Sequence, residues 1–290
     1  MFRKEELGPG FTVHLHRTRA FKTITARLAF QADLDEGAAA RALVPRVLAR
    51  GTRRLPSLLD LQVELDRNFG ASLSGDTRKV GERQLVQFSA DWVLDRLADE
   101  PLLDRMGALM AEYVGDPACD ADGTLRDEIV VQERKNLADE AAAIFDDKAR
   151  YARYRLLEVM CRGEAYARPS FGRLEEIRAT TRQDVHAAWR GLVERAPADL
   201  FLVGDLTWSR ALRFARRLGL HERRAPRRLR RTQRRRAGKV RTVRERQDVA
   251  QAKLALGFRT SVRADGPLYP AMVILNALYG GSPVGKLFKQ

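Results

Sequence analysis

Between residues 23 and 30, apolar and polar positions alternate. Ile24, Ala26, Leu28 and Phe30 fall on one side, Thr23, Thr25 and Arg27 on the other. A period of two predicts a half-buried strand. Ala71 to Ser74 and Gln84 to Ser89 read as antiparallel strands joined by a charged turn, and the apolar run "DLFLVGDL" at 199–206 as a short strand ending in Gly-Asp. Elsewhere the period lengthens to that of helices. Leu58 to Phe69 predicts an amphipathic helix with Ser57 as its N-cap and Gly70 as its stop. Leu94 to Val114, Leu125 to Ala143, Arg150 to Met160 and Arg182 to Trp189 read as further helices. A mixed or antiparallel sheet flanked by helices is an α+β fold.

One stretch resists this reading. Residues 41–52, "RALVPRVLARGT", keep an apolar helical face in Leu43, Val47 and Leu48 and end at Gly51, yet carry Pro45 and Arg46 at the centre. An interior proline costs a helix about 3 kcal/mol. It is tolerable where the helix kinks or begins a second turn.

The strand pattern recurs late in the chain. "TITARLAFQADL" at 23–34 and "VAQAKLALGFRTSV" at 249–262 share Ala, a basic residue, then Leu-Ala and an apolar residue. Each is followed by an acidic turn, a helical stretch and glycine, at Gly51 and at Gly280-Gly281. This predicts an internal duplication. The second copy has 44 residues, too few to bury a core of its own, so it is expected to be incomplete, with a helical start uncapped at the end of the chain.

Charge separates the copies. The net charge is +15, and residues 222–246 hold thirteen Lys/Arg against two Glu, leaving about +4 for the rest. Such a block repels itself and reads as an exposed linker. The expected organisation is 1–221 as an α+β domain, 222–246 as an Arg-rich linker, and 247–290 as the start of a second, homologous domain. Cys119 and Cys161 lie 42 positions apart with no CxxC, which predicts free thiols in a reducing compartment. "MFRKEELGPG" has no apolar core, so a cytoplasmic location is expected. The uncharged run 267–285 is broken by Pro270, Asn276, Gly280, Gly281 and Pro283 and predicts a buried helix and turn, not a membrane span.

The order of "DEGAAARALVPRVLARGT", "LQVELDRNFGASLSGDT", "VVQERKNL", "FDDKARYA", "GEAYARPSFGRLEEIRATTRQDV" and "LFLVGDL" resembles the insulinase/pitrilysin-type zinc peptidases. The similarity runs over nearly the whole chain. It implies duplicated α+β domains joined by a linker, paired into a clamshell. Active members carry H-x-x-E-H on the first helix before Gly-Thr, with a distant Glu as the third protein ligand. Counted back from Gly51-Thr52, that motif falls on Ala42, Pro45 and Arg46, and the distant ligand best matches Glu133. Alanine cannot bind zinc, proline cannot take a proton, and arginine repels a cation. Leu125, Ile129, Glu133 and Leu137 recur every four residues, so Glu133 interrupts an apolar stripe and needs a partner. Either it snorkels at the stripe's edge, or Arg46 pairs with it where the metal would sit.

The histidines offer no alternative metal site. His14 and His16 share a strand face without a third ligand, His186 precedes Trp189 in a helix and reads as structural, and His221 borders the linker and reads as solvated. Asp146-Asp147 reads as a helix cap. The substrate-binding Arg and Tyr that the resemblance implies would fall beyond Gln290.

The expected function is therefore a catalytically degenerate homologue with no cofactor of its own, zinc being expected only in an active partner. It resembles the bacterial branch in which such a subunit helps an active insulinase-type peptidase enclose a peptide or protein substrate. Some members of that branch are associated with modification of elongation factor P. A homo-oligomer is the other assembly expected. Two alternatives stand beside this reading. An active zinc peptidase would carry about one zinc per chain. Sequence-independent nucleic-acid binding through Arg227, Arg228, Arg230, Arg231, Arg234, Arg235 and Arg236 would fall steeply with salt, but no aromatic residue interleaves with these arginines to stack bases.

Overall fold

The computed structural model describes residues 3–223, 226–230, 238–247, 251–281 and 285. Six strands form one mixed sheet: β1 (Arg3–Gly8), β2 (Phe11–Arg17), β3 (Thr23–Asp33), β4 (Ser72–Val80), β5 (Arg83–Val93) and β6 (Ala198–Gly204). Their order is β1-β2-β6-β3-β5-β4, with β2 and β6 parallel and the other neighbours antiparallel. The helices are α1 (Ala38–Leu48), α2 (Leu58–Arg67), α3 (Asp95–Ala98), α4 (Leu102–Gly115), α5 (Asp127–Ala142), α6 (Lys148–Met160), α7 (Leu174–Ala179), α8 (Arg182–Arg195), α9 (Trp208–Arg217) and α10 (Tyr269–Asn276).

Strand register explains why one face of the sheet is covered. Val13, Leu200, Leu28, Phe88 and Gly75 stand side by side across five strands, and Leu15, Leu202, Ala26, Ala90 and Leu73 form the next row. Alternation sends these rows to the same face, where α1 packs on β4 and β5, α4 on β5, α8 on β3 and α9 on β2. Aromatic rings extend this core. Phe88 meets Phe30 and Tyr113 edge-on at 6.1 and 5.9 Å, and Trp92 stacks on Phe214 at 5.5 Å. The other face carries His14, Phe201, Arg27 and Ser89, none of them buried.

Local chemistry sets the helix ends. Ser57 caps α2 in a box with Asp60, and Asp147 caps α6 by accepting from the backbone of Ala149 and Arg150. The helix expected over Leu94–Val114 is two helices, because Asp99 turns left-handed (φ 53°) and Pro101 follows before α4 starts.

The C-terminal region departs from expectation. No strand forms among the described residues 251–262, and α10 is exposed instead of buried, with Leu254 83% and Ile274 61% accessible. A strand needs a neighbour and an apolar helix needs a sheet beneath it, and no strand or sheet among the described residues supplies either. The linker also differs from a free tether. Arg223 donates to the carbonyls of Gly10 and Val193, the Arg227 amide to Arg195, and the Arg230 amide to the Asp33 carboxylate. Its described side chains are mostly exposed, but Arg223, Arg227 and Arg230 tie it to the ends of β2 and β3 and to α8.

Candidate functional site

The stretch around Pro45 is continuous helix. α1 runs through Pro45, whose ring lies on Gly75 of β4; a Cβ at Gly75 would stand 2.7 Å from the Pro45 Cβ. The glycine makes the room that lets α1 lie flat on the sheet. Gly51 ends the helical stretch at φ +149°, where a side chain would collide with the Leu55 and Pro56 backbone. Thr52 then fixes this corner: its amide donates to the Leu55 carbonyl at 2.7 Å, and its hydroxyl bonds the Glu112 carboxylate at the end of α4.

This frame holds the three motif positions against α5. Ala42 and Pro45 are buried and present no ligand atom. Arg46 reaches across to α5, where Glu140 takes both its amino groups, one at 2.9 Å and the other at 2.5 Å. The Arg46 Nη1 also lies 3.9 Å from Glu133 Oε2. Glu133 has a closer partner in Arg50, whose Nε donates to Oε1 at 2.7 Å. The Glu133 side chain is 4% exposed, against 29% for Arg46, 40% for Arg50 and 60% for Glu140. Two cations and two carboxylates thus form one cluster, with its only deeply buried charge on Glu133.

Arg50 and Glu140 do not stand out in the sequence. Arg50 lies one turn beyond Arg46, and Glu140 lies two turns beyond Glu133 on the same helix. Those spacings, i+4 and i+7, are the signal that identifies them as neighbours.

The donor set does not fit zinc. Two guanidinium groups face the single remaining carboxylate position, and Ala42 and Pro45 offer neither imidazole nor base. Among the described residues, no group of three or more His, Cys, Asp or Glu is arranged to hold a metal. His14 instead bonds Asp199 at 2.8 Å and stacks on Phe201 at 4.5 Å. His16, on the same strand, is half-buried. His186 packs edge-on against Trp189; burial, then Arg190 and Arg182, push its pKa down. His221, expected to be solvated, is half-buried, because its backbone packs beneath Gly8. Of the arginines offered for polyanions, Arg227, Arg228 and Arg230 are exposed, whereas Arg231, Arg234, Arg235 and Arg236 lie outside the described residues.

Comparison with known proteins decides the family. A probable inactive metalloprotease, YmfF, of Bacillus subtilis is 31% identical over 282 residues, covering 96% of this chain. The family described as peptidase M16 inactive domain matches residues 179–290. The chain belongs to the M16, insulinase-type peptidases. It is a homologue of their inactive members, and it spans 66% of the length of the Bacillus relative. A conserved protein of Enterococcus faecalis V583 superposes with TM-score 0.83 at 22% identity, over 100% of this chain and 68% of that one. A peptidase M16 inactive domain from Pseudomonas fluorescens gives 0.60 at 17% identity, over 78% and 52%. Both likenesses carry the α+β M16 fold. No helix among the described residues is long and apolar enough to cross a membrane.

Proposed function

We propose that this chain is a non-catalytic M16 subunit that pairs with an active zinc peptidase and helps enclose its peptide or protein substrate. The observation that carries the reading is the Arg46–Arg50–Glu133–Glu140 cluster. It fills the α1–α5 corner where the family motif would place metal and base, and its arginines repel a divalent cation. An intact frame around a corner without ligands favours a role in shape and binding over chemistry. On this reading residues 1–221 form the enclosing domain, 222–246 carry the chain across, and 247–290 begin a second unit of the same kind.

Two measurements test it. The purified chain should bind no stoichiometric zinc and cleave no peptide; one zinc per chain with chelator-sensitive cleavage would make it an active peptidase. Mixed with an M16 subunit bearing H-x-x-E-H, it should form a complex that cleaves faster than the zinc subunit alone, with elongation factor P as one protein probe. Failure to associate, with the zinc subunit fully active by itself, would remove the partner role.

A further inference from the structure

A cleft of about 480 Å³ opens between α6 and residues 241–247 and 251–256, away from the α1–α5 corner. Its aliphatic floor is Leu156 and Val159 of α6, and the exposed Leu254 and Leu256 line its side. Both stretches are fastened. In the first, Glu245 accepts from the Tyr151 hydroxyl and from Arg155 Nε, each at 2.8 Å. Just past the second, Arg259 pairs with Glu164, and Gly257 lies so close to Met160 that a Cβ would stand 2.8 Å from its sulfur.

The rim is cationic. Lys148, Arg241, Arg246 and Lys253 line it, and none has an ion-pair partner among the described residues. Arg241 donates to the Val159 carbonyl at 2.8 Å, Lys148 to that of Phe145 at 2.9 Å, and Lys253 to the Gln251 amide oxygen at 2.5 Å. The one carboxylate among the described lining residues, Glu245, is already held by Tyr151 and Arg155. The backbone of 251–256 makes no backbone hydrogen bond within the described residues, which leaves peptide groups available beside the aliphatic floor.

We propose that this cleft receives an extended peptide that alternates aliphatic and acidic side chains. The aliphatic side chains enter the floor, the carboxylates meet the four cations that have no ion-pair partner among the described residues, and the peptide backbone bonds along 251–256. This deepens the partner reading, on which it rests, by naming the class of peptide enclosed. A lipid carboxylate would satisfy the rim and floor but leave those backbone groups unused.

The test is fluorescence anisotropy on the full chain alone, so it does not depend on finding the partner subunit. The probes are labelled peptides of about six residues, alternating Leu with Glu or Leu with Lys, long enough at ~3.3 Å per residue to run beside 251–256. The Leu-Glu peptide is expected to bind saturably and at least about tenfold tighter than the Leu-Lys peptide, with the preference weakening as salt rises. Arg241→Glu with Lys253→Glu, both exposed, should keep the thermal midpoint and invert the preference. Equal binding of the two peptides, or a preference unmoved by the charge reversal, would overturn the proposal. Light scattering that shows copies of the chain closing over the cleft and blocking the probe would assign it to a second copy and overturn it too.

Discussion

Glu133 can be isolated energetically because its two cations are far more exposed than it is. Arg46→Met with Arg50→Met leaves a carboxylate that is 4% exposed with neither cation. Stranding a buried charge costs about 3–5 kcal/mol, a large share of a domain's net stability. Glu133→Leu is the opposite cut. It leaves two arginines at 29% and 40% exposure, one still paired with Glu140, and both can turn to water. Its expected cost is below about 1 kcal/mol, the range of exposed pairs. The triple variant, apolar at all three positions, should return to within about 1 kcal/mol of the parent or exceed it, since a buried ion pair replaced by apolar groups is often neutral or stabilising. Of the single changes, Arg50→Met should cost more than Arg46→Met, because Arg50 donates to Glu133 at 2.7 Å and Arg46 stands 3.9 Å away. Urea denaturation followed by circular dichroism gives all five values. If the double arginine variant loses less than about 1 kcal/mol, the cluster does not hold Glu133 and the reasoning fails.

Three further outcomes follow from the same contacts. Gly75→Ala drives a methyl group into Pro45 and should lower stability by about 1–3 kcal/mol, whereas Gly191→Ala, in α8 with open space around it, should raise it by about 0.5–1 kcal/mol; thermal melts compare the two. The Thr181 hydroxyl and amide hold the Asp184 carboxyl below its ordinary 3.8, so this stabilisation is full above pH 3.8 and is lost as pH falls through the folded value. Asp184→Asn should remove that part of the acid limb in pH-dependent denaturation. Burial pushes the Lys79 pKa below its ordinary 10.5, which makes the charged form costly in the fold. Stability should therefore rise as pH climbs through the lowered value toward 10.5, and Lys79→Met should abolish the rise.

Much of the fold is written in side-chain periods, and its gaps have physical causes. Ile24, Ala26, Leu28 and Phe30 alternate because one face of β3 meets helices, so the strand is legible without its neighbours. β4 is not, beyond its first residues: "SGDTRKV" is polar at nearly every position because it is an edge strand, and only pairing with β5 extends it to Val80. Gln84 is buried by bonds to the carbonyls of Ala38 and Ser170, contacts that join distant segments and leave no periodic trace. The attachments of Arg223, Arg227 and Arg230 are hidden for a similar reason. They use backbone amides and an arginine head, while the composition of 222–246 reads as a self-repelling tether.

The candidate site was legible where spacing alone defines it. Gly51-Thr52 fixes the count back to Ala42, Pro45 and Arg46, and the four-residue recurrence singles out Glu133. What spacing does not supply is the partner each charge chooses. A carboxylate in an apolar stripe demands positive charge nearby, and it arrives twice, from Arg46 in α1 and from Arg50 in the turn that follows it. With Arg50 on Glu133, Arg46 is released to Glu140 at the exposed end of the cluster. Its position then has a physical explanation that needs no metal. Ala42 and Pro45 fill space against the core and the sheet, Arg50 and Arg46 neutralise the acid that α5 buries, and a helix that loses about 3 kcal/mol to its proline regains packing on Gly75. An imidazole at 42 or 46 would meet an acid already claimed by Arg50. Rebuilding H-x-x-E-H here should therefore not restore zinc binding while Arg50 stays; metal titration of Ala42→His with Pro45→Glu and Arg46→His, with and without Arg50→Ala, separates the two cases.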